Sequence, residues 1–234
     1  MPDVLQIENL TVHYDDGVHA LRGVSLSVPP GQRLGLIGPN GSGKTTLLLA
    51  IMRGVRGEGR IVVDGIELGR TTVDQVRSRC GMTFQSADDQ LFMATLLDDV
   101  AFGPLNQGKA PDEAEALARD ALRAVALDGL ETRTAHHLSG GQKQNAALAT
   151  ILAMQVKILL LDEPGASLDL RSRRRLTAAL ADRPEAMIVA THDLAMIGAL
   201  CTRVVVLDEG RLVADGPVET ILGDTDLLAA HGLA

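Results

Sequence analysis

The pattern of apolar and polar positions along the chain predicts strands and helices that alternate, with one largely helical stretch in the middle. Residues 4–10 and 24–28 alternate between apolar and polar side chains, as half-buried strands do. Further strands are expected at 33–38, 59–64, 81–84, 157–161, 187–191, 204–208 and 212–215, and helices at 45–52, 112–125, 140–154, 171–180 and 194–200. Because strands that alternate with helices form a parallel sheet with helices on both faces, the expected fold class is α/β.

The stretch 86–155 interrupts this alternation and is expected to form an inserted helical subdomain, with 1–85 and 156–234 as the core around it. Its clearest helix, 112–125, has apolar residues at i, i+3, i+4, i+7, i+8 and i+11, which is one face of a helix. The apolar face consists of Ala114, Leu117, Ala118, Ala121, Leu122 and Val125. We therefore expect the 234 residues to form one domain with one subdomain.

Composition narrows the classes of function. The net charge of −8 argues against a nucleic-acid partner, because proteins that bind nucleic acid usually present a basic face. The arginine run at 171–175 is typical of a solvated helix face, and an anionic partner is the alternative. Cys80 and Cys201 fit a reducing compartment, and their spacing predicts neither a metal site nor a disulfide.

Segments that direct a protein to a membrane or cross one would also show in the sequence pattern. We expect no signal peptide, and no apolar run approaches the roughly 20 residues that cross a bilayer. A role at a membrane would therefore depend on a partner chain.

A glycine-rich loop follows the expected strand at 33–38 and precedes the expected helix at 45–52. It reads GPNGSGKT, which fits the phosphate-loop pattern G-x-x-x-x-G-K-[ST] in its strand-to-helix context. Glycines let backbone N–H groups point at phosphates, and the helix adds the positive end of its dipole. Lys44 is expected to reach the β- and γ-phosphates, and Thr45 to offer its hydroxyl to Mg²⁺. The expected nucleotide contacts here are Gly38, Pro39, Asn40, Gly41, Ser42, Gly43, Lys44, Thr45 and Thr46.

An acidic pair ends the apolar strand expected at 157–161. In phosphate-loop nucleotide hydrolases an aspartate at this position holds the Mg²⁺ shell, so Asp162 is the expected metal residue. The adjacent Glu163 is then placed to polarise a water molecule for in-line attack on the γ-phosphate. A solvated acidic pair at a strand end is the alternative, which the phosphate loop disfavours.

The pentapeptide LSGGQ at 138–142 lies between the phosphate loop and the acidic strand end. With this motif the sequence resembles the ATP-binding-cassette (ABC) ATPase family over essentially its whole length. The resemblance implies ATP and Mg²⁺ as ligands. It also implies a P-loop NTPase core with an N-terminal antiparallel β subdomain and an inserted α-helical subdomain.

The same resemblance implies that the chain works as a dimer. Ser139, expected to cap a helix, would with Gly140, Gly141 and Gln142 face the ATP held by a second subunit arranged head to tail. We expect a homodimer, with a heterodimer of two paralogous ATPases as the alternative.

Other positions match the family in order along the chain. Tyr14 resembles the aromatic residue that stacks on adenine, although a packed strand residue is the alternative. Gln85 resembles the glutamine that contacts Mg²⁺ and joins the nucleotide site to the membrane partner. Residues 167–169, including Asp169, resemble the loop that crosses the dimer interface, and His192 resembles the histidine at the γ-phosphate. The catalytic residues implied by the resemblance are Glu163, His192 and Gln85.

The sequence departs from the family pattern at three places. Asn145 replaces a common basic residue after the signature, Leu170 replaces a common proline, and 165–167 lack the usual threonine. None of these changes removes a catalytic group. They leave open the rate of hydrolysis and the affinity of the dimer, but not the chemistry.

Four segments, at 84–92, 99–106, 190–194 and 203–216, resemble the energy-coupling-factor group of importers, and LRSRRRL at 170–176 looks most like its cobalt and nickel members. The resemblance implies an ATPase at the cytoplasmic face of the cell membrane. Its partners would be a transmembrane coupling subunit and a substrate-binding membrane subunit, and no nucleic acid. Uptake of a vitamin such as biotin and the motor of another ABC transporter, including an exporter, are the alternatives.

Two rival classes from the same superfamily are disfavoured. A DNA-repair ATPase would insert a long coiled coil between its nucleotide motifs, and no long heptad run lies between Lys44 and Asp162. A ribosome-associated factor would carry two cassettes, and the sequence contains one.

The three phenylalanines, Phe84, Phe92 and Phe102, lie in the stretch that would meet a membrane subunit. Aromatic side chains are enriched as interface anchors, and packing inside the helical subdomain is the alternative. Asp88 and Asp89 follow Gln85, and we expect at least one of them to pair with a basic residue of the membrane partner.

Overall fold

The computed structural model describes residues 2–166 and 168–233, which form two compact units. The first unit contains 2–80, 157–162 and 184–233, and the second contains 81–156 together with 163–183. The second unit thus takes in more of the chain than the helical insertion expected at 86–155.

Regular elements follow one another closely in the described part of the chain. The strands are β1 (Leu5–His13), β2 (His19–Val28), β3 (Arg33–Ile37), β4 (Glu58–Val63), β5 (Ile66–Glu67), β6 (Cys80–Thr83), β7 (Ile158–Asp162), β8 (Ala186–Ala190), β9 (Arg203–Asp208) and β10 (Arg211–Pro217). The helices are α1 (Lys44–Ile51), α2 (Val73–Arg77), α3 (Leu96–Asn106), α4 (Pro111–Ala124), α5 (Gly140–Ala153), α6 (Leu170–Ala181), α7 (Leu194–Leu200), α8 (Val218–Gly223) and α9 (Thr225–Ala230). Short 3-10 helices lie at Ala87–Asp89 and Ala135–His137.

A four-stranded antiparallel sheet lies in the first unit, with strand order β2-β1-β4-β5. Its long strands alternate buried apolar positions with exposed ones, so one face packs on the core while the other meets solvent. This sheet confirms the N-terminal antiparallel subdomain that the family resemblance implies.

The larger sheet is mainly parallel, and five of its strands lie in the first unit in the order β10-β9-β3-β8-β7. β9, β3, β8 and β7 run parallel, and β10 closes the edge as the antiparallel arm of a hairpin with β9. All of β7 and β8 is buried, as expected for strands covered on both faces. The predicted α/β fold class is confirmed. β6 begins at Cys80, where the N-terminal segment of the first unit ends, and continues into the second unit.

Helices α3, α4 and α5 pack against one another in the second unit. α4 buries Ala114, Ala118, Ala121 and Leu122, which are members of the apolar face predicted from its sequence. The sequence pattern did not predict α3, because Gly103 and Pro104 disfavour a helix. Gly103 is required by packing, since a Cβ there would lie 2.6 Å from Met154 Cγ at the end of α5.

A buried carboxylate on α3 holds an exposed apolar loop. Asp99 is only 3% exposed, and its Oδ1 accepts hydrogen bonds from the backbone N–H groups of Phe92 and Met93, both at 2.9 Å. Its Oδ2 has no hydrogen-bond partner among the described residues, and burial raises the pKa of the Asp99 carboxyl above its ordinary value. Phe92, which is 64% exposed, lies edge-on against Phe102, with ring centroids 5.2 Å apart.

We expect Asp99→Ala to lower the free energy of unfolding by about 2 kcal/mol, because two buried N–H groups lose their acceptor. Asp99→Asn keeps an acceptor and cannot ionise, so it should be at least as stable as the wild type at about pH 7. Since the folded state raises the pKa of Asp99, the wild type gains stability as the pH falls. The advantage of Asp99→Asn should therefore shrink toward about pH 4. Urea unfolding of the three proteins at both pH values measures this, and equal stability of Asp99→Ala and wild type would contradict it.

Candidate nucleotide-binding site

The carboxyl ends of three neighbouring parallel strands meet at one edge of the larger sheet. The glycine-rich loop follows β3, Asp162 ends β7, and His192 comes two residues after β8. In the strand register, Ala190 pairs with Leu36 on one side and with Asp162 on the other. The fold therefore places the loop, Asp162 and the backbone at His192 along the edge where open α/β sheets bind ligands.

The glycine-rich loop presents several groups that suit an anion. Lys44 Nζ reaches across the loop and donates to the carbonyl oxygens of Gly38 at 2.7 Å and Pro39 at 3.0 Å. The buried Ser42 Oγ has no hydrogen-bond partner among the described residues. The N-cap of α1 is Gly43, so no side chain caps the N–H groups of its first turn. Uncapped N–H groups at a helix N-terminus bind phosphate oxygens well.

Close backbone contacts hold this loop in place. A Cβ at Gly38 would collide with the carbonyl oxygen of Leu207 at the end of β9. A Cβ at Gly43, where φ is 107°, would lie 2.6 Å from the carbonyl oxygen of Ala20 on β2. The N–H of Gly210 in the β9–β10 turn donates to Ser42 O at 3.1 Å. Glycine is therefore required at both ends of the loop for steric reasons.

Tyr14 lies beside the first turn of α1. It belongs to the loop that joins β1 to β2, and its hydroxyl is 3.1 Å from Thr46 Oγ1. The side chain is 37% exposed. This partly exposed ring next to the phosphate loop suits a ligand contact better than the alternative of a packed strand residue.

Glu163 directly follows the buried Asp162 and adopts a left-handed backbone conformation with φ of 47°. Positive φ is uncommon for a residue other than glycine and occurs often at functional sites. Gln85 is exposed, between β6 and the 3-10 helix Ala87–Asp89. Both Glu163 and Gln85 belong to the second unit.

The LSGGQ motif forms the N-terminus of α5. Ser139 Oγ accepts from the N–H of Gln142 at 3.3 Å, and Gln142 Oε1 accepts from the N–H of Ser139 at 2.9 Å. This reciprocal capping box fixes the first turn. Ser139 and Gly140 are exposed, and Gly141 packs toward Leu168. The turn is thus rigid and open to a ligand from outside.

Asp169 caps α6. Its Oδ1 accepts from the N–H of Ser172 at 2.7 Å, and this backbone hydrogen bond is the main reason that the pKa of Asp169 lies below its ordinary value. Ser167 lies outside the described residues. Asn145, inside α5, donates from Nδ2 to Val125 O at 3.1 Å.

Comparison with known proteins identifies the family. Residues 21–166, more than half of the chain, match the family model described as ABC transporter. The chain belongs to the ABC transporter family. As an ABC ATPase it binds and hydrolyses ATP, which confirms the enzyme class that the motifs imply.

Similar ABC proteins match this chain over nearly its whole length and over three quarters or more of their own. The chain is 46% identical to an ABC transporter ATP-binding protein of Gloeobacter violaceus, covering 100% of this chain and 97% of that one. It is 42% identical to the cobalt import ATP-binding protein CbiO of Rhodobacter capsulatus, covering 100% and 85%. It is 38% identical to the energy-coupling factor transporter ATP-binding protein EcfA of Methanothermobacter thermautotrophicus, covering 98% and 76%.

Solved ABC structures share the fold. CbiO1 of Clostridium perfringens, part of the transporter complex CbiONQ, aligns with a TM-score of 0.85 at 31% identity, covering 100% of this chain and 96% of that one. A dimeric ATP-binding cassette in a post-hydrolysis state with ADP and phosphate aligns with a TM-score of 0.83 at 26% identity, covering 92% and 98%. Within residues 2–166 and 168–233, no helix combines the length and apolarity that crossing a membrane requires.

Some residues that support the phosphate loop belong to no sequence motif. Ala20, Leu207 and Gly210 contact the loop through backbone atoms, so their side chains carry no sequence signal of the contact. His13 and His19 were also missed, although their positions at the two ends of a short loop around Tyr14 could have drawn attention.

We expect Gly43→Ala to weaken ATP binding by at least about tenfold, because the added Cβ must displace the Ala20 carbonyl. Gly65→Ala is the matched control. Its φ of 77° is also left-handed, but a Cβ there would meet no described atom within 4 Å. It should cost about 1 kcal/mol of stability while ATP affinity stays unchanged. Calorimetric titration with ATP measures both affinities, and normal affinity in Gly43→Ala would show that the contact is not needed.

Proposed function

We propose that this ABC ATPase powers an importer of the energy-coupling-factor type whose cargo is cobalt or nickel ions. The observation that carries the proposal is the 42% identity to a cobalt import ATPase along the whole chain. The likeness to EcfA and to CbiO1 supports the energy-coupling type. Vitamin uptake by the same type of importer, or the motor of another ABC transporter, remains the alternative for the cargo.

The nucleotide would lie along the edge of the larger sheet. The loop from Gly38 to Thr46 would hold the triphosphate, with Lys44 at the β- and γ-phosphates, and Tyr14 would stack on adenine. Thr45, exposed at the start of α1, and the buried Asp162 are oxygen donors of the kind that Mg²⁺ prefers, and Gln85 would complete this set. When bound, the Mg²⁺ would neutralise charge on the phosphate oxygens.

Glu163 would act as the general base. Its carboxylate takes a proton from a water molecule while the water oxygen forms a bond to the γ-phosphorus. The bond from that phosphorus to the β–γ bridging oxygen breaks, and the products are ADP and phosphate. His192 would hydrogen-bond the γ-phosphate and keep it in line for this attack.

Two subunits would complete each site. The N-terminus of α5, exposed at Ser139 and Gly140 and continuing through Gly141 to Gln142, would bind the γ-phosphate of the ATP on the other subunit. The Asp169 loop would lie at the interface. We propose a homodimer, since every nucleotide motif is intact in this chain; a paralogous ATPase is the alternative partner. The dimeric ATP-binding cassette with ADP and phosphate supports a dimeric mode of action.

An exposed apolar surface on the second unit suits the membrane subunit. Its centre is the contact between Phe92 and Phe102, and the other exposed apolar side chains of this unit near them in sequence are Phe84, Met93 and Leu105; all five are between 38% and 64% exposed. Exposed apolar patches of this kind often mark protein interfaces. The protein would then act at the cytoplasmic face of the membrane, with a coupling subunit and a substrate-binding subunit in the bilayer and no nucleic acid.

The two aspartates near Phe92 in sequence, Asp88 and Asp89, differ in their contacts. Asp88 already has a partner within the second unit, because Lys143 Nζ donates to Asp88 Oδ1 at 2.5 Å. Asp89 is exposed as well, and a basic residue of the membrane partner would meet it without displacing Lys143. Asp89 is therefore the better candidate for the proposed contact.

We expect Glu163→Gln to bind ATP but to hydrolyse it at least about a hundredfold more slowly, since the amide cannot accept the proton of water. ATP should hold this variant as a long-lived dimer, visible by light scattering. Lys44→Ala should instead lose ATP affinity and form no ATP-dependent dimer. Near-normal hydrolysis by the Glu163→Gln variant would show that Glu163 is not the general base. If this variant stays monomeric with ATP, the homodimer is wrong and the heterodimer is the dimer that is left.

Transport tests the cargo. The protein, co-expressed with the membrane subunits that co-purify with it, should drive accumulation of labelled cobalt or nickel in cells that lack other uptake routes. Glu163→Gln should abolish that accumulation. Accumulation of labelled biotin instead would establish the vitamin alternative, and absence of uptake of all three would contradict the proposal.

The same transport assay tests the coupling surface. Asp88→Ala combined with Asp89→Ala should leave ATP hydrolysis by the isolated subunit largely unchanged and abolish uptake. Asp112→Ala with Glu113→Ala removes equal charge from the first turn of α4 and should leave uptake intact. Normal assembly and uptake in the first double variant would show that the acidic pair plays no part in coupling.

A further inference from the structure

Two imidazole rings lie face to face at the base of the loop that carries Tyr14. His13 ends β1, His19 begins β2, and the two residues are partners in the strand register. Their ring centroids are 3.8 Å apart, with 27° between the ring planes. The loop between them is closed by a hydrogen bond from the N–H of Tyr14 to Val18 O at 2.9 Å. The stack and this hydrogen bond together fix where the loop begins and ends.

His19 lies in surroundings that disfavour its protonation. Its Nε2 is buried and has no hydrogen-bond partner within the described chain. The ionisable groups that face it are His13 on β1, Arg22 on β2 and Arg211 on β10. Burial, followed by the charges of these three groups, holds the pKa of His19 below its ordinary value of 6.5. A backbone hydrogen bond at Leu21 acts in the opposite direction, but a protonated Nε2 would have no acceptor among the described residues and would lie beside like charges.

The two ends of the stack differ in how firmly they are held. Ala20, which follows His19, is wedged against the phosphate loop: a Cβ at Gly43 would lie 2.6 Å from its carbonyl oxygen, and one at Gly210 would lie 2.7 Å away. Tyr14, which follows His13, lies in an exposed loop and touches α1 through its hydroxyl at Thr46, without a comparable backbone contact in the described part of the chain. If the rings separate, the side that can move is therefore the one that carries Tyr14.

We propose that His13 and His19 are positioning residues whose stacked rings hold Tyr14 in its adenine-binding place only while His19 is uncharged, so that ATP affinity falls in acid. This inference rests on the adenine role proposed for Tyr14. In the stack His19 takes up a proton less readily than a free imidazole does, so protonation of His19 favours separation of the rings. The stack is fully stabilised above about pH 6.5, and this stabilisation is lost as the pH falls from there through the lowered pKa of His19.

Calorimetric titrations with ATP and with inorganic tripolyphosphate at about pH 7.5 and 5.5 test the proposal. In the wild type, ATP affinity should fall by about three- to tenfold more than tripolyphosphate affinity, because only ATP uses Tyr14. The double variant His13→Phe, His19→Phe keeps a ring stack that cannot be protonated. It should bind ATP tightly at pH 7.5 and lose the ATP-specific acid effect. The double variant His13→Ala, His19→Ala should bind ATP weakly at both pH values and tripolyphosphate normally.

Two outcomes would overturn the proposal: an acid loss in the Phe variant equal to that of the wild type, or normal ATP affinity in the Ala variant at pH 7.5. Thermal unfolding at both pH values identifies variants that are simply unfolded, and these would lose tripolyphosphate binding as well. The variant Tyr14→Ala tests the adenine role of Tyr14 separately from the positioning role of the two histidines. If it binds ATP as tightly as the wild type, the adenine role of Tyr14 fails. If it binds ATP weakly while the histidine variants behave as wild type, only the positioning role of the histidines fails.

Discussion

Direct backbone packing of the phosphate loop against two carbonyl oxygens is the constraint on which the nucleotide site depends. Leu207 supplies one of these oxygens beside Gly38, and Ala20 supplies the other beside Gly43. The two carbonyls come from different sheets and lie far apart in the sequence. Because neither contact leaves room for a Cβ, the loop adopts its shape only when both sheets of the first unit are formed. The ability to bind phosphate is thus a property of the folded unit and not of the eight-residue motif alone.

The second unit shows a different way of making an exposed surface rigid. Burying a carboxylate is normally costly, and Asp99 offsets only part of that cost through two backbone hydrogen bonds. What the fold gains is a fixed position for Phe92 and Met93, whose side chains remain exposed. The capping box of Ser139 and Gln142 acts in the same way on the first turn of α5. Both surfaces that we assign to partners are therefore ordered before any partner arrives.

The fold class and most of the elements could be predicted from sequence because apolar periodicity and the phosphate loop are local signals. β7 and α4 lie close to their expected positions for this reason. α3 could not be predicted, since Gly103 and Pro104 disfavour a helix locally, and the contact that explains Gly103 is with Met154 at the end of α5. The roles of Leu207 and Ala20 were equally hidden, because a carbonyl oxygen is the same in every residue. The pairing of Asp88 with Lys143 depends on tertiary structure, so the sequence suggested a partner in another chain where the structure shows one in the same chain.

The contact between the Tyr14 hydroxyl and Thr46 Oγ1 also has an optical consequence. The chain contains one tyrosine and no tryptophan. Tyrosine emission from the folded protein therefore comes from a single ring, and that ring lies beside the start of α1. A phenol that shares a hydrogen bond with a neighbouring hydroxyl absorbs and emits differently from one exposed to water. The unlabelled protein thus contains its own spectroscopic probe beside the phosphate loop, without background from any other tyrosine or tryptophan.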